Sequence, residues 1–401
     1  MLMGLFRKEA AKEALGRETR HPTYATGFHG MDYRNGYIDD QGYVQAGLDG
    51  GRILTLVGNS GTGKSTFGMQ IAANMVKPFE NGIILHYDFE RATNKERFRK
   101  ISGWSKAEVE AKYQHLNTEI YAETVFSAIR KTADLKLANF DKLKVAIKWD
   151  ESGKEIEWGL PPTVIFVDSL ALMMPKKITE EEELSGSMSA SAVAKVNTAV
   201  LKRCMSPLQD GNIFLIIINH INKKIEINPM IKTQADVNYL KQDESLPGGK
   251  AAVYLANYLI KLVASKKLKK EEELGVDGFL VTGELIKSRS NAAGKTFVLV
   301  FDQANGMNAD LSAYVALKDA KKIGGAGRSW YLENMPEVKF AQKDFLEKLN
   351  SVPGMRDKFD ELCFNHFSDM IPAEDDYEDQ PDLSSLQEHF EEGDDGEIPD
   401  A

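Results

Sequence analysis

Eight residues, GNSGTGKS from Gly58 to Ser65, match the spacing G-x-x-x-x-G-K-[ST] in full. They follow the apolar run Ile53–Val57 and open a helical stretch, Thr66–Val76, the context that this pattern needs. Glycines let the backbone turn tightly, so that its N–H groups and the helix N-terminus cradle phosphate. Gly58, Asn59, Ser60, Gly61, Thr62, Gly63, Lys64, Ser65 and Thr66 are therefore the candidate nucleotide contacts. Lys64 is expected to reach the β- and γ-phosphates and the Ser65 hydroxyl to ligate Mg²⁺. In VIFVDS, Val164–Ser169, four apolar residues deliver Asp168 to the carboxyl end of a strand, as a second candidate Mg²⁺ ligand. ATP and Mg²⁺ are the cofactors this pairing predicts.

Two further strands end on polar residues. HYDFE places Glu90 just after the run Ile83–Tyr87, where a carboxylate could orient and deprotonate an attacking water. Asp88, two residues earlier, competes for that role, and a solvated glutamate is the bland alternative. IFLIIINH ends on Asn219 and His220, which could sense a γ-phosphate, although a lone histidine is as readily a structural residue.

Beyond His220 the stretch Ile221–Gly249 lacks a period and is punctuated by Pro229, Pro247, Gly248 and Gly249. Loops of that length inside a domain are usually functional or disordered. This one mixes Lys223, Lys224, Lys232 and Lys241 with Ile225, Ile227, Met230 and Ile231. Lysines can meet nucleic-acid phosphates while apolar side chains wedge between bases. A second irregular stretch, Met173–Met188, carries Lys176 and Lys177. In IKSRSNAAGK, Lys287 and Arg289 are two apart and share a face if the preceding strand continues through them; a basic surface turn is the alternative.

The elements that must position these residues alternate. Strands are expected at Ile53–Val57, Ile83–Asp88, Val164–Asp168, Ile213–Asn219, Tyr258–Val263, Phe279–Ile286 and Thr296–Phe301, with helices between them, notably Thr66–Val76 and Ser189–Met205. The first four strands are nearly continuous apolar runs, as burial on both faces requires. The pattern predicts an α/β fold with a mostly parallel central sheet flanked by helices. KWDESGKEIEW, Lys148–Trp158, reads as a small hairpin. Residues 1–50 form a lead-in and candidate oligomerisation element, 51–305 the core, 306–372 a small helical C-terminal module, and 373–401 an acidic tail.

The net charge of −10 argues at first sight against a nucleic-acid partner, but its distribution reverses that. From Glu374 onward there are 13 Asp and Glu and no Lys or Arg, leaving 47 acids against 50 bases, net +3, in residues 1–373. So polar a tail is expected to be disordered, acting either as a solubility device or as a mimic of DNA phosphate. Cys204 and Cys363 stand in no metal-ligand spacing and cannot build a disulfide framework, which suits a reducing interior. The apolar runs are strand-sized, so no membrane span is expected, and the N-terminus reads as a short basic amphipathic helix rather than a signal peptide.

GNSGTGKS, HYDFE, VIFVDS, IIINH, PGGKAAVYLAN, IKSRSNAAGK and FVLVFD together resemble the RecA family, and within it the strand-exchange recombinases of T4-like phages. The resemblance covers roughly residues 50–335, and the N-terminal 50 residues depart from it. It implies a RecA-like P-loop ATPase core forming helical filaments of the chain on single-stranded DNA, pairing it with homologous duplex DNA in the bacterial cytoplasm. A loading mediator and a single-strand-binding protein are further candidate partners. Glu90 matches the family's catalytic glutamate, and His220 stands where a polar γ-phosphate sensor is expected. Met173–Met188 and Ile221–Gly249 match the two DNA-binding loops, with Lys176, Lys177, Met188, Lys223, Lys224, Ile225, Lys232, Lys241, Gly248 and Gly249 as candidate DNA contacts. Lys287 and Arg289 match basic residues that reach a neighbouring subunit's nucleotide. The competing readings are a hexameric helicase on the same core, disfavoured by the short stretch before Gly58, and a mediator with a relic ATPase core, disfavoured by intact Lys64, Ser65, Glu90 and Asp168.

Overall fold

The computed structural model describes residues 21–39, 42–149, 152–180, 186–223, 240–247, 251–272, 274–288 and 292–371. A nine-stranded sheet lies at its centre. In chain order the strands are β1 Ile53–Gly58, β2 Ile83–Asp88, β3 Tyr113–Leu116, β4 Thr163–Asp168, β5 Ile213–His220, β6 Tyr258–Leu268, β7 Gly278–Lys287, β8 Thr296–Asp302 and β9 Gly306–Asn308. Their order across the sheet is β9-β8-β7-β6-β1-β5-β4-β2-β3. From β6 to β3 all neighbours are parallel, whereas β7, β8 and β9 extend the sheet antiparallel. The alternating pattern therefore predicted the class correctly: an α/β fold whose large, mostly parallel sheet is flanked by helices.

Both faces of the parallel part are covered, which is why its central strands β1, β4 and β5 are predominantly apolar. Helix α1, Lys64–Val76, lies on one face; α2, Ala122–Ala138, and α3, Gly186–Asp210, lie on the other. Successive side chains point to opposite sides of a strand. Val164 and Phe166 of β4 accordingly pack with Phe67 and Ile71 of α1, while Ile165 and Val167 pack with Val125 and Ile129 of α2 and Leu201 of α3. The contact under α1 is close: a Cβ on Gly68 would meet the Phe166 ring at 2.6 Å.

Several elements differ from expectation for identifiable reasons. Edge strand β3 directly follows the helix Lys106–Lys112 without a turn residue, and its YQHL sequence gives little apolar signal. Helix α3 runs through Pro207, where the sequence reading stops at Met205, because its buried face continues from Cys204 to Leu208 on either side of the proline. The lead-in is tied to the sheet, with Tyr24, Phe28, Met31 and Leu48 buried in the same core as α1. The C-terminal module is only partly helical. Between α4, Ala309–Asp319, and α5, Met355–Ser368, lies an antiparallel sheet of Ile323–Ala326, Ser329–Leu332 and Met335–Phe340. These strands are four to six residues long, and the first, IGGA, is half glycine, so no period stands out. The expected hairpin is present as Val145–Trp149 paired with Glu155–Gly159. Among the described residues no helix is long and apolar enough to cross a membrane. The acidic tail and the N-terminal helix expected before His21 lie outside the described residues.

At the amino ends of β4 and β5, α2 buries the ammonium of Lys136, which donates to Pro161 O at 2.6 Å, Asn212 O at 3.1 Å and Thr163 Oγ1 at 3.2 Å. Burial pulls its pKa down from 10.5 to about 7. Below pH 7 the lysine is charged in both folded and unfolded chains. Above it the folded chain sheds the proton while the unfolded chain keeps it up to its ordinary value, so stability rises with pH across that window. Urea unfolding from pH 7 to 9.5 should show this rise, at most about 1.4 kcal/mol per pH unit. Lys136→Met should abolish it; an unchanged slope would refute the assignment.

Candidate functional site

Four parallel strands end side by side at one edge of the sheet. Gly58 is paired with His220 and Asp168 with Asp88, so residues distant in sequence meet beyond the carboxyl ends. In open parallel sheets this is where ligand crevices form.

The turn from β1 into α1 needs glycine. Gly63 caps α1 in the left-handed region at φ +84°, and a Cβ there would come within 2.9 Å of Met307 Cε and 3.0 Å of Phe301 Cδ2. Asn59, Ser60 and Gly61 form an exposed tip, Ser65 and Thr66 are half-buried, and Thr62 is buried, with its hydroxyl donating to Asn59 O at 3.0 Å. The buried Lys64 ammonium lies under the loop, donating to Gly58 O at 3.0 Å and Asn59 O at 2.8 Å. Burial holds its pKa below the ordinary lysine value, opposed by the negative charges of Asp168 and Glu90.

Asp168 is 4 % exposed. It lies beside the Ser65 hydroxyl, and its Oδ1 is buried with no hydrogen-bond partner. Burial pushes this carboxyl up to about 7, abetted by the Glu90 and Asp88 carboxylates and opposed by Ser65 and Lys64. An orphaned carboxylate oxygen beside a hydroxyl is a donor set for a hard divalent cation. Among the described residues no group of three or more His, Cys, Asp and Glu could hold a metal unaided. A cation here would therefore draw further ligands from water and phosphate, as Mg²⁺ commonly does.

The main chain of Asp168 also holds the next carboxylate in place. Its carbonyl accepts Phe89 N at 2.7 Å and Glu90 N at 3.1 Å. The Asp88 oxygens are occupied by Ala92 N at 3.3 Å, Thr93 N at 3.1 Å and His115 Nε2 at 3.1 Å. Asp88 fixes the turn on which Glu90 sits. Behind it, the Tyr113 hydroxyl meets the buried His86 Nδ1 at 2.7 Å, and burial keeps that imidazole well below its ordinary pKa. Glu90 remains partly exposed and reaches across to His220, Oε1 to Nε2 3.1 Å. Asn219 faces the other way: its amide donates to Pro247 O at 2.7 Å while its Oδ1 accepts His220 N at 2.9 Å.

No family profile and no curated protein sequence matches the chain. The residue assignments thus stand on geometry and on the motifs.

The edge gathers Lys64, Ser65, Glu90, Asp168 and His220, but not every candidate. Lys287 lies toward the opposite end. It pairs with Leu259, three residues before Leu262, which is the partner of Gly58, and its ammonium donates to Tyr254 O at 2.6 Å. Of the first irregular stretch, Met173 is buried in the core under α2 and α3, its carbonyl held by Asn197 Nδ2 at 3.2 Å, whereas Lys176 and Lys177 are exposed. Met188 falls within α3. Of the longer stretch, Asn222–Lys223 pairs antiparallel with Glu244–Ser245, and Lys241 is exposed. Lys224, Ile225, Lys232, Gly248, Gly249 and Arg289 lie outside the described residues. The supporting residues His115 and Asn197 escaped the sequence reading because each is a single polar residue whose partner comes from a distant segment of the chain.

Proposed function

We propose that the chain is an ATP-dependent DNA recombinase with a RecA-like P-loop ATPase core, which assembles on single-stranded DNA and pairs it with homologous duplex in the bacterial cytoplasm. The observation that carries this reading is the 3.1 Å contact between His220 and Glu90. It links the candidate hydrolytic carboxylate to the end of β5, from which the lysine-bearing stretch departs.

In this reading Glu90 takes a proton from the water whose oxygen attacks the γ-phosphorus, the bond to the β-phosphate oxygen breaks, and ADP and phosphate leave. Lys64 turns from the loop carbonyls to the phosphates, where its charge offsets that of the transition state. Ser65 and Asp168 would hold Mg²⁺, which neutralises phosphate charge when bound. His220 reports through Glu90 whether the γ-phosphate is present. Lys287, away from this subunit's own crevice, and Arg289 serve the nucleotide of the next subunit in a filament.

Salt dependence of DNA binding tests the reading. With ATP and Mg²⁺, affinity for labelled single-stranded DNA should fall linearly with the logarithm of salt, by a slope of roughly 0.7 per phosphate contacted. Replacing Lys223, Lys224, Lys232 and Lys241 by Ala should flatten that slope. An unchanged slope would place DNA elsewhere on the surface, and no binding at low salt would refute the reading.

A further inference from the structure

Lys261 of β6 lies one residue before Leu262, the partner of Gly58, in a stretch that is otherwise apolar from Tyr258 to Val263. Its side chain is only 6 % exposed. The ammonium donates to Glu244 Oε2 at 2.9 Å and lies 3.5 Å from Glu284 Oε2. Glu284 is its cross-strand partner on β7, so that contact follows from the register. Glu244 does not belong to the sheet. It comes from residues 240–247, where the same Oε2 also accepts Lys241 N at 3.2 Å. Its neighbour Ser245 pairs with Asn222, two residues beyond His220. The limb thus has two attachments at the sheet edge: Glu244 on Lys261, and Pro247 on Asn219.

A buried ammonium is a costly way to fill a strand position, and apolar residues of similar volume generally do it at least as stably; what such a pair contributes best is a fixed position. Glu284 is 34 % exposed and partly solvated, whereas Glu244 at 12 % depends on Lys261 for its counter-charge. Without the ammonium, Glu244 would face Glu284 as a like charge, and solvation would draw the limb off the sheet.

We propose that Lys261 is a positioning residue that clasps the Lys241–Ser245 limb, through Glu244, to the strand beside the Gly58 loop, so that nucleotide in the crevice raises affinity for single-stranded DNA. This rests on the function proposed above and adds the residue through which the two sites are coupled.

The test measures binding of a labelled oligothymidylate to the full chain with and without a non-hydrolysable ATP analogue and Mg²⁺. It compares wild type, Lys261→Met, Glu244→Gln and Lys261→Arg, with folding checked by circular dichroism. In wild type the analogue should raise DNA affinity on the order of tenfold or more. Lys261→Met and Glu244→Gln should lose that gain while keeping wild-type affinity for the analogue and for DNA without it, and Lys261→Arg should retain it. A merely structural lysine would shift both DNA affinities together and leave their ratio unchanged. A wild-type ratio in either folded methionine or glutamine variant overturns the clasp alone. Absence of any gain in wild type overturns the proposed function and the clasp with it.

Discussion

Lys64→Ala is expected to reduce ATP turnover by about a hundredfold or more, the loss seen when one preorganised donor to a transition state is removed. The ammonium is buried under the Gly58–Ser65 loop, held by the Gly58 and Asn59 carbonyls. In the proposed function it is the cation that the Gly58–Ser65 loop itself supplies to the phosphates, and backbone N–H groups cannot replace its full charge. Alanine leaves those two carbonyls without a donor at the loop's mouth, where water can take over, so the fold should survive and the circular dichroism spectrum should match wild type. Turnover within a few-fold of wild type in the folded variant would show that the loop does not bind the reacting phosphates.

Glu90→Gln should separate binding from chemistry. The amide fills the same volume and can still meet His220, so affinity for ATP should stay near wild type. Single-turnover hydrolysis should fall about 10²- to 10⁴-fold, the usual worth of a general base. Glu90→Ala in the presence of formate offers the sharper comparison: a small carboxylate can enter the gap and restore part of the rate. Asp88→Asn should also slow turnover, because an amide cannot accept all three of the bonds from Ala92, Thr93 and His115. Formate should not rescue it, since the loss is one of positioning. Rescue of Asp88→Ala but not of Glu90→Ala would reverse the two roles.

The strands that bear the site were legible because their chemistry is local. Val164–Asp168 and Ile213–Asn219 are apolar until the residue at the carboxyl end, and that change of character marks the end of each strand where the candidate residues gather. The glycine-lysine loop was legible for the same reason: positive φ at Gly63 and a buried cation at Lys64 demand those residue types. What stayed hidden depends on pairings across the fold. Nothing near Asp88 in sequence announces that His115 will bond to it, because β3 reaches β2 only through the parallel register. Lys261 likewise interrupts an apolar run for no local reason; its partners Glu244 and Glu284 come from segments on either side of it in the chain. The strands of the C-terminal module escaped because four residues such as Ile323–Ala326 are too few to display a period of two.

If nucleotide beside the Gly58–Ser65 loop drives assembly on single-stranded DNA, negative-stain electron microscopy will show it. The full chain should form long, regular helical filaments on circular single-stranded DNA with Mg²⁺ and a non-hydrolysable ATP analogue. Without nucleotide, or with Lys64→Ala, such filaments should be absent. Closed rings, or particles that look the same with and without nucleotide, would contradict it.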